Sequence, residues 1–300
     1  MNANALLTTT LLLVNGTLMA GIYALAKVAG HGGVTPLGVL AWQVLFAASA
    51  IGLLAAARFE WPALSFRTLR YAAIAGVLGV TAPSLVTFTA LAHLPAGLIG
   101  VISALSPVFT YGIALALGVE RVHPWRAAGI ALGFIGVLAV VLPKGALPDP
   151  SALSWALVAL AGPALLASGN VFRSRAWPAG LTPLGAAALM LALQAAVLVP
   201  VAVALDAFEA PRALFRPPDL ALLGAGALTA AFYLGAFELQ KRGGPVVVGQ
   251  LGFVMTVASL AIGVAAFGER YPLTAFAAVA VALTGVALVN RPVSPAPKGA

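Results

Sequence analysis

Apolar residues run along this chain in stretches of about twenty, separated by short clusters of polar, charged and turn-forming residues. A helix that crosses the hydrocarbon core of a bilayer needs about 20 such residues. The pattern predicts ten helices, over 6–28, 35–57, 69–91, 95–118, 125–143, 152–173, 182–203, 219–240, 246–267 and 273–290. The gaps carry the stop signals, among them His31-Gly32-Gly33, Arg58-Phe59-Glu60, Glu120-Arg121, Pro148-Asp149-Pro150, Arg216-Pro217-Pro218 and Lys241-Arg242-Gly243-Gly244. The faintest gap lies between the third and fourth helices, marked only by His93 and Pro95. The expected fold is all-α and membrane-embedded.

Composition agrees and narrows the function. Hydrophobic residues make up 62% of the chain and charged ones 8%, against about 25% charged in soluble domains. That is too little charge to cover a water-facing surface, so the apolar residues must face lipid. Cysteine is absent, which excludes a disulfide framework, a thiolate metal site and a cysteine nucleophile. The net charge of +8 does not indicate nucleic acid, because the basic residues sit singly or in pairs at the ends of apolar runs. The first apolar stretch is preceded by no Lys or Arg and closed by no small-residue cleavage site, unlike a signal peptide. No P-loop, H-E-x-x-H or G-x-S-x-G occurs. The three His residues lack ligand spacing, so neither an enzyme nor a cofactor or metal is expected.

The loop charges set an orientation. With the N-terminus in the cytoplasm, Arg58, Arg67, Arg70, Arg121, Arg126, Arg173, Arg175, Lys241, Arg242, Arg291 and Lys298 fall inside. Lys27, Lys144, Arg212, Arg216 and Arg270 fall outside. Eleven of the sixteen basic residues are then inside, as the positive-inside rule requires. Both termini are expected in the cytoplasm.

The chain also repeats itself. Thr35-Pro36-Leu37-Gly38 opens the second helix and Thr182-Pro183-Leu184-Gly185 the seventh, an offset of 147. Glu120-Arg121 ends the fourth helix and Glu269-Arg270 the ninth, an offset of 149, and Gly136-Val137 matches Gly285-Val286 at that same offset. Two five-helix halves follow, 1–145 and 146–300. An odd number of helices per half means that the second enters from the opposite side. Inverted repeats of this kind build transporters whose substrate site lies near mid-membrane between the halves.

The residues from Pro95-Ala96-Gly97 through Ser106-Pro107 to Gly118-Val119-Glu120-Arg121, with the glycine-rich fifth helix after them, resemble the drug/metabolite transporter superfamily in its EamA-type branch. Gly244-Pro245 to Phe267-Gly268-Glu269-Arg270 repeat the pattern. Thr256 stands where Pro107 stands in the first copy. Within that branch the chain looks most like the bacterial aromatic amino acid exporters. The resemblance implies a ring of helices around a central cavity, with helices five and ten outside as scaffold. It also implies export of amino acids or similar metabolites across the bacterial inner membrane.

Polar side chains in lipid face the bundle or a wet cavity. By depth the candidates for the cavity are Asn15, Gln43, Ser84, Ser103, Ser106, Asn170, Gln194, Gln250 and Thr256, with Tyr111 and Tyr233. Each has two readings, a substrate contact or a hydrogen bond between helices. Trp42 is either an interface aromatic or a stacking wall for an aromatic substrate. Pro83, Pro107 and Pro163 fall within spans, where each removes a backbone hydrogen bond and either serves as a hinge or only kinks its helix. Gly129 and Gly133, echoed by Ala278 and Ala282, suit close packing within one molecule or a dimer contact. The sequence is compatible with a monomer or a homodimer.

No Asp, Glu, Lys or Arg is expected near mid-membrane. Glu238 comes closest, and its spacing from Lys241 and Arg242 suits an ion pair at the helix end. The absence of a buried carboxylate argues for gradient-driven flux of a zwitterion rather than proton exchange. The other reading is a proton-coupled exporter of drugs or quaternary cations, which would want a carboxylate in the cavity.

Overall fold

The computed structural model describes residues 3–117, 123–141, 152–208, 216–249 and 251–289. Within them the chain forms α1 (Ala3–His31), α2 (Pro36–Ala57), α3 (Phe66–Gly76), a π-helical segment (Val77–Thr81), α4 (Ala82–Leu91), α5 (Ala96–Ser103) and α6 (Ser106–Ala116). It continues with α7 (Pro124–Val141), α8 (Ala152–Ala159), α9 (Ala161–Ala176), α10 (Pro183–Ala204), α11 (Pro217–Gly249), α12 (Leu251–Phe267) and α13 (Leu273–Val289). Three spans are broken helices, α3 to α4, α5 to α6 and α8 to α9, so the segments make ten spans in all. Seven are long and apolar enough to cross a membrane, and shorter apolar helices complete the set. Large apolar side chains such as Leu53, Val197, Val257 and Leu273 point outward, as lipid allows and water would not.

The repeat is visible residue by residue. Thr35 caps α2 by accepting the Gly38 N–H, and Thr182 caps α10 by accepting the Gly185 N–H. A Cβ on Gly38 would collide with the Ala207 carbonyl, and one on Gly185 with the Glu60 carbonyl. Those two loops share a left-handed residue at matching positions, Phe59 at φ 53° and Asp206 at φ 52°. The start of α2 therefore abuts the end of α10, and the start of α10 abuts the end of α2. The two helices run antiparallel, related by a twofold axis across the helix direction. The halves are inverted copies, and the packing of α1 on α11 and α12 is mirrored by that of the sixth span on the third and fourth.

The packing of α7 against α13 obeys the same axis. A Cβ on Gly285 would meet the backbone of Gly129 and Gly133, and one on Gly136 would meet Ala282. The G-x-x-x-G face is thus consumed inside the molecule, which removes the reading of this face as a dimer contact. Small residues let membrane helices approach this closely.

One expected boundary is wrong. The helix that begins at Pro217 runs through Lys241-Arg242-Gly243-Gly244 to Gly249 instead of stopping at 240. A straight helix would separate Phe237 from Val248 by about 16 Å, yet both line one cavity. The helix therefore bends between these two residues. Glu238 pairs with Arg242 at 2.5 Å, both partly exposed, as its spacing foretold.

Candidate functional site

Three prolines inside spans stand just after an interruption, whereas Pro200 sits within the unbroken α10. Pro83 follows the π-helical segment, Pro107 follows the break at Ala104-Leu105, and Pro163 follows the break at Leu160. Proline has no N–H for the carbonyl four residues before it. For Pro83 that carbonyl belongs to Gly79, and the Tyr233 hydroxyl donates to it at 3.0 Å. A side chain of the second half thus satisfies a backbone group freed in the first. Such π segments gather at functional sites.

Around this contact lie two adjoining chambers of about 40 Å³ each. Met19, Gly79, Ser103, Leu166, Phe232 and Tyr233 border both. One chamber extends to Asn170, Arg173, Ser106 and Phe237. The other extends to Gln43, Pro83, Ser84, Thr87, Pro163 and Thr229. Both halves of the chain contribute to each. A water needs roughly 10–15 Å³ on this measure, so each chamber holds a few waters and neither holds a metabolite. The molecule is contracted around its centre.

The chambers contain groups without a match. Gln43 Oε1, Thr229 Oγ1 and Ser106 Oγ are buried with no hydrogen-bond partner, and so is Arg173 Nη1. Arg173 is the residue the sequence reading missed. Placed at the end of the sixth span and counted among the loop charges, it lies inside α9 and is 6% exposed. Cβ atoms tilt toward a helix N-terminus, so an arginine one turn from the C-terminal end reaches back into the bundle. Its Nη2 donates to Asn170 Oδ1, and its guanidinium lies over the Phe237 ring, 5.5 Å from the centroid. A Cβ on Gly79, near the middle of the Phe66–Leu91 span, would strike Nη1. The expectation of no charge near mid-membrane is therefore corrected. The available signal was the spacing of Asn170 and Arg173, three apart on one helix face.

Several other candidates lie elsewhere. The Asn15 amide donates to the Leu11 carbonyl at 2.8 Å and packs against Gly235 between α1 and α11. Trp42 stacks on Phe208 at 4.3 Å and on Phe46 at 5.5 Å, beside the loop that follows α10, and forms no wall of the cavity. Tyr111 accepts the His123 N–H at 3.1 Å, with the Arg126 guanidinium over its ring. Thr256 gives its hydroxyl to two carbonyls, Gly252 at 2.7 Å in its own helix and Gly100 at 3.1 Å in α5. Its hydroxyl is spent on holding α12 to α5. Gln194 accepts from the Thr81 hydroxyl in the π-helical segment. Gln250 lies outside the described residues.

A second cluster ties the halves together at one face. The Glu269 carboxylate accepts from Lys27 Nζ at 2.7 Å, from the Ala96 N–H at 2.7 Å and from the Gly97 N–H at 3.2 Å, and the Tyr271 hydroxyl also donates to it. Lys27 and the start of α5 belong to the first half, Glu269 and Tyr271 to the second. Burial alone would push the Glu269 carboxyl up. The hydrogen bonds from Lys27, Tyr271, Ala96 and Gly97 outweigh it and hold the carboxyl below its ordinary range. The free N–H groups at a helix start carry partial positive charge, which adds to the attraction. Burial, and then the same contact, pushes the Tyr271 hydroxyl up.

Comparison with known proteins accords with this geometry. A solved structure titled "Crystal structure of protein" is similar over 96% of this chain and 96% of its own, at 21% identity and a TM-score of 0.63. That likeness concerns the fold. Against curated proteins the chain returns no match. The EamA-like transporter family matches residues 6–142 and again residues 153–291, once for each inverted half. The chain is a multi-pass membrane protein that belongs to the EamA-like transporter family.

Proposed function

We propose that this transporter exports amino acids, aromatic ones among them, or similar small metabolites, by rocking residues 1–145 against residues 146–300. The single observation behind this reading is the contracted central cavity, walled by polar and aromatic side chains of both halves. Gln43, Ser84, Ser103, Asn170 and Tyr233 offer neutral polar groups for the charged ends of a zwitterion. Phe232, Phe237 and Met19 offer an apolar bed for its side chain. The three broken spans supply places where helices yield, with Pro83, Pro107 and Pro163 as hinges. Cytoplasmic termini in a bacterial inner membrane suit the loop charges.

Among the described residues no carboxylate lines the cavity, which supports gradient-driven flux over proton exchange. A cationic residue at the cavity also disfavours the quaternary-cation exporter. The test is efflux of a radiolabelled amino acid panel from liposomes holding the purified chain, without an ion gradient, beside a quaternary cation. Saturable, protein-dependent amino acid flux is expected. Flux of the cation alone would replace this reading, and a strict need for an imposed pH gradient would refute the uncoupled mechanism.

A further inference from the structure

We infer that Arg173 is the anion-recognising residue of the central cavity, so that the transported solute must carry a carboxylate. The inference rests on the carrier reading above and assigns its substrate class.

A guanidinium inside a membrane bundle is costly unless it is paired or faces a wet cavity. Among the described residues Arg173 makes no ion pair, and its polar contacts are with neutral groups. Nη2 donates to Asn170, and the face of the group rests on Phe237. Nη1 is buried and has no partner, although the fold has made room for it. That room exists because residue 79 is glycine, since a Cβ there would fill the place of Nη1. The Gly79 carbonyl is turned to Tyr233 and so does not serve the guanidinium. Asn170 and Phe237 hold the group in one orientation, and the unmatched Nη1 lies against Gly79 in the chamber lining. Guanidinium edges match carboxylates in geometry and charge, and such bonds are about twice as strong as neutral ones. A carboxylate entering the chamber from Ser106 and Tyr233 would complete the set. A neutral amide would supply one acceptor without the charge, and an amine would be repelled.

A structural role for Arg173 makes a different prediction. If it merely knits α9 to α11, its removal should lower thermal stability and leave ligand preference alone. If it awaits an anion, its removal relieves an unmatched buried charge, and stability without ligand should hold.

The experiment uses the full chain in detergent and in liposomes. Four probes share one ring: phenylalanine, phenylalaninamide, 3-phenylpropionate and phenethylamine. Binding is read as ligand-induced thermal shift and as competition with phenylalanine flux. Wild type should favour the two carboxylates over the amide and the amine by at least tenfold. Arg173→Gln should weaken the carboxylates by tenfold or more, leave the amide unchanged and show no lower Tm without ligand. Arg173→Lys should keep part of the preference. Equal binding of acid and amide, or a preference that survives in Arg173→Gln, would overturn the inference while leaving amino acid transport standing. A lower Tm with an intact preference would make Arg173 structural. Binding of phenethylamine alone, or of none of the four, would overturn both this inference and the amino acid reading.

Discussion

A few side chains do work that no neighbour duplicates. Tyr233 closes the backbone gap that Pro83 opens at Gly79. Tyr233→Phe leaves a buried carbonyl unmatched, a loss of about 1–3 kcal/mol, and a lower Tm should report it. Gly79→Ala should be more damaging to flux than to folding, because the added methyl displaces Arg173 from the chamber. Gly30→Ala is the control, with nothing within 4 Å of its Cβ, and should leave flux unchanged. At the other cluster, the Glu269 carboxyl has its pKa held below the ordinary 4.5 by its four hydrogen bonds. A depressed carboxylate contributes stability above its unfolded pKa and loses it as pH falls through the folded value. The stabilisation from the tie between Lys27 and Glu269 should therefore be full above the ordinary 4.5 and fade below it, as pH falls through the lower folded value. Glu269→Gln should abolish this acid limb of a Tm-against-pH curve.

Helices here are placed by small residues and interrupted by prolines. Gly129, Gly133, Gly136 and Gly285 bring α7 and α13 into backbone contact. Gly285→Val must force the pair apart, and a yield of folded protein well below wild type is expected on size-exclusion chromatography. How much of this was legible depended on whether the cause lay in contiguous residues. The two Thr-Pro-Leu-Gly openings announced the repeat because capping, proline placement and close approach are all encoded within four positions. The three proline breaks were legible for the same reason. Trp42 was not, because its partner Phe208 arrives from the other half of the chain. Thr256 was ambiguous, since one of its two acceptors is in its own helix and the other in α5. Arg173 was hidden by an error of three residues, the distance between the expected end of the sixth span and the observed end of α9 at Ala176. Charge at a helix end reads as a loop until its side-chain direction is known.

At the scale of the molecule, one twofold axis organises nearly everything, and the exceptions to it mark the function. Lys27 has Ser174 at its matching position, so the ion pair that ties the halves at one face is not repeated by the same residues in the other half. Among the described residues the cavity's cation comes from the second half alone. These departures give the molecule a direction that exact symmetry would deny it. In the proposed rocking cycle the face closed by Lys27 and Glu269 must open at every turnover. The chain has no cysteine, so Lys27→Cys with Glu269→Cys introduces the only thiols. The most direct measurement is amino acid flux of this double variant in liposomes before and after cross-linking by a short bis-methanethiosulfonate, and again after reduction. Flux should stop when the two halves are bridged and return when the bridge is cut. Flux unchanged at full cross-linking would contradict the rocking cycle, because the halves would then move substrate without parting at that face.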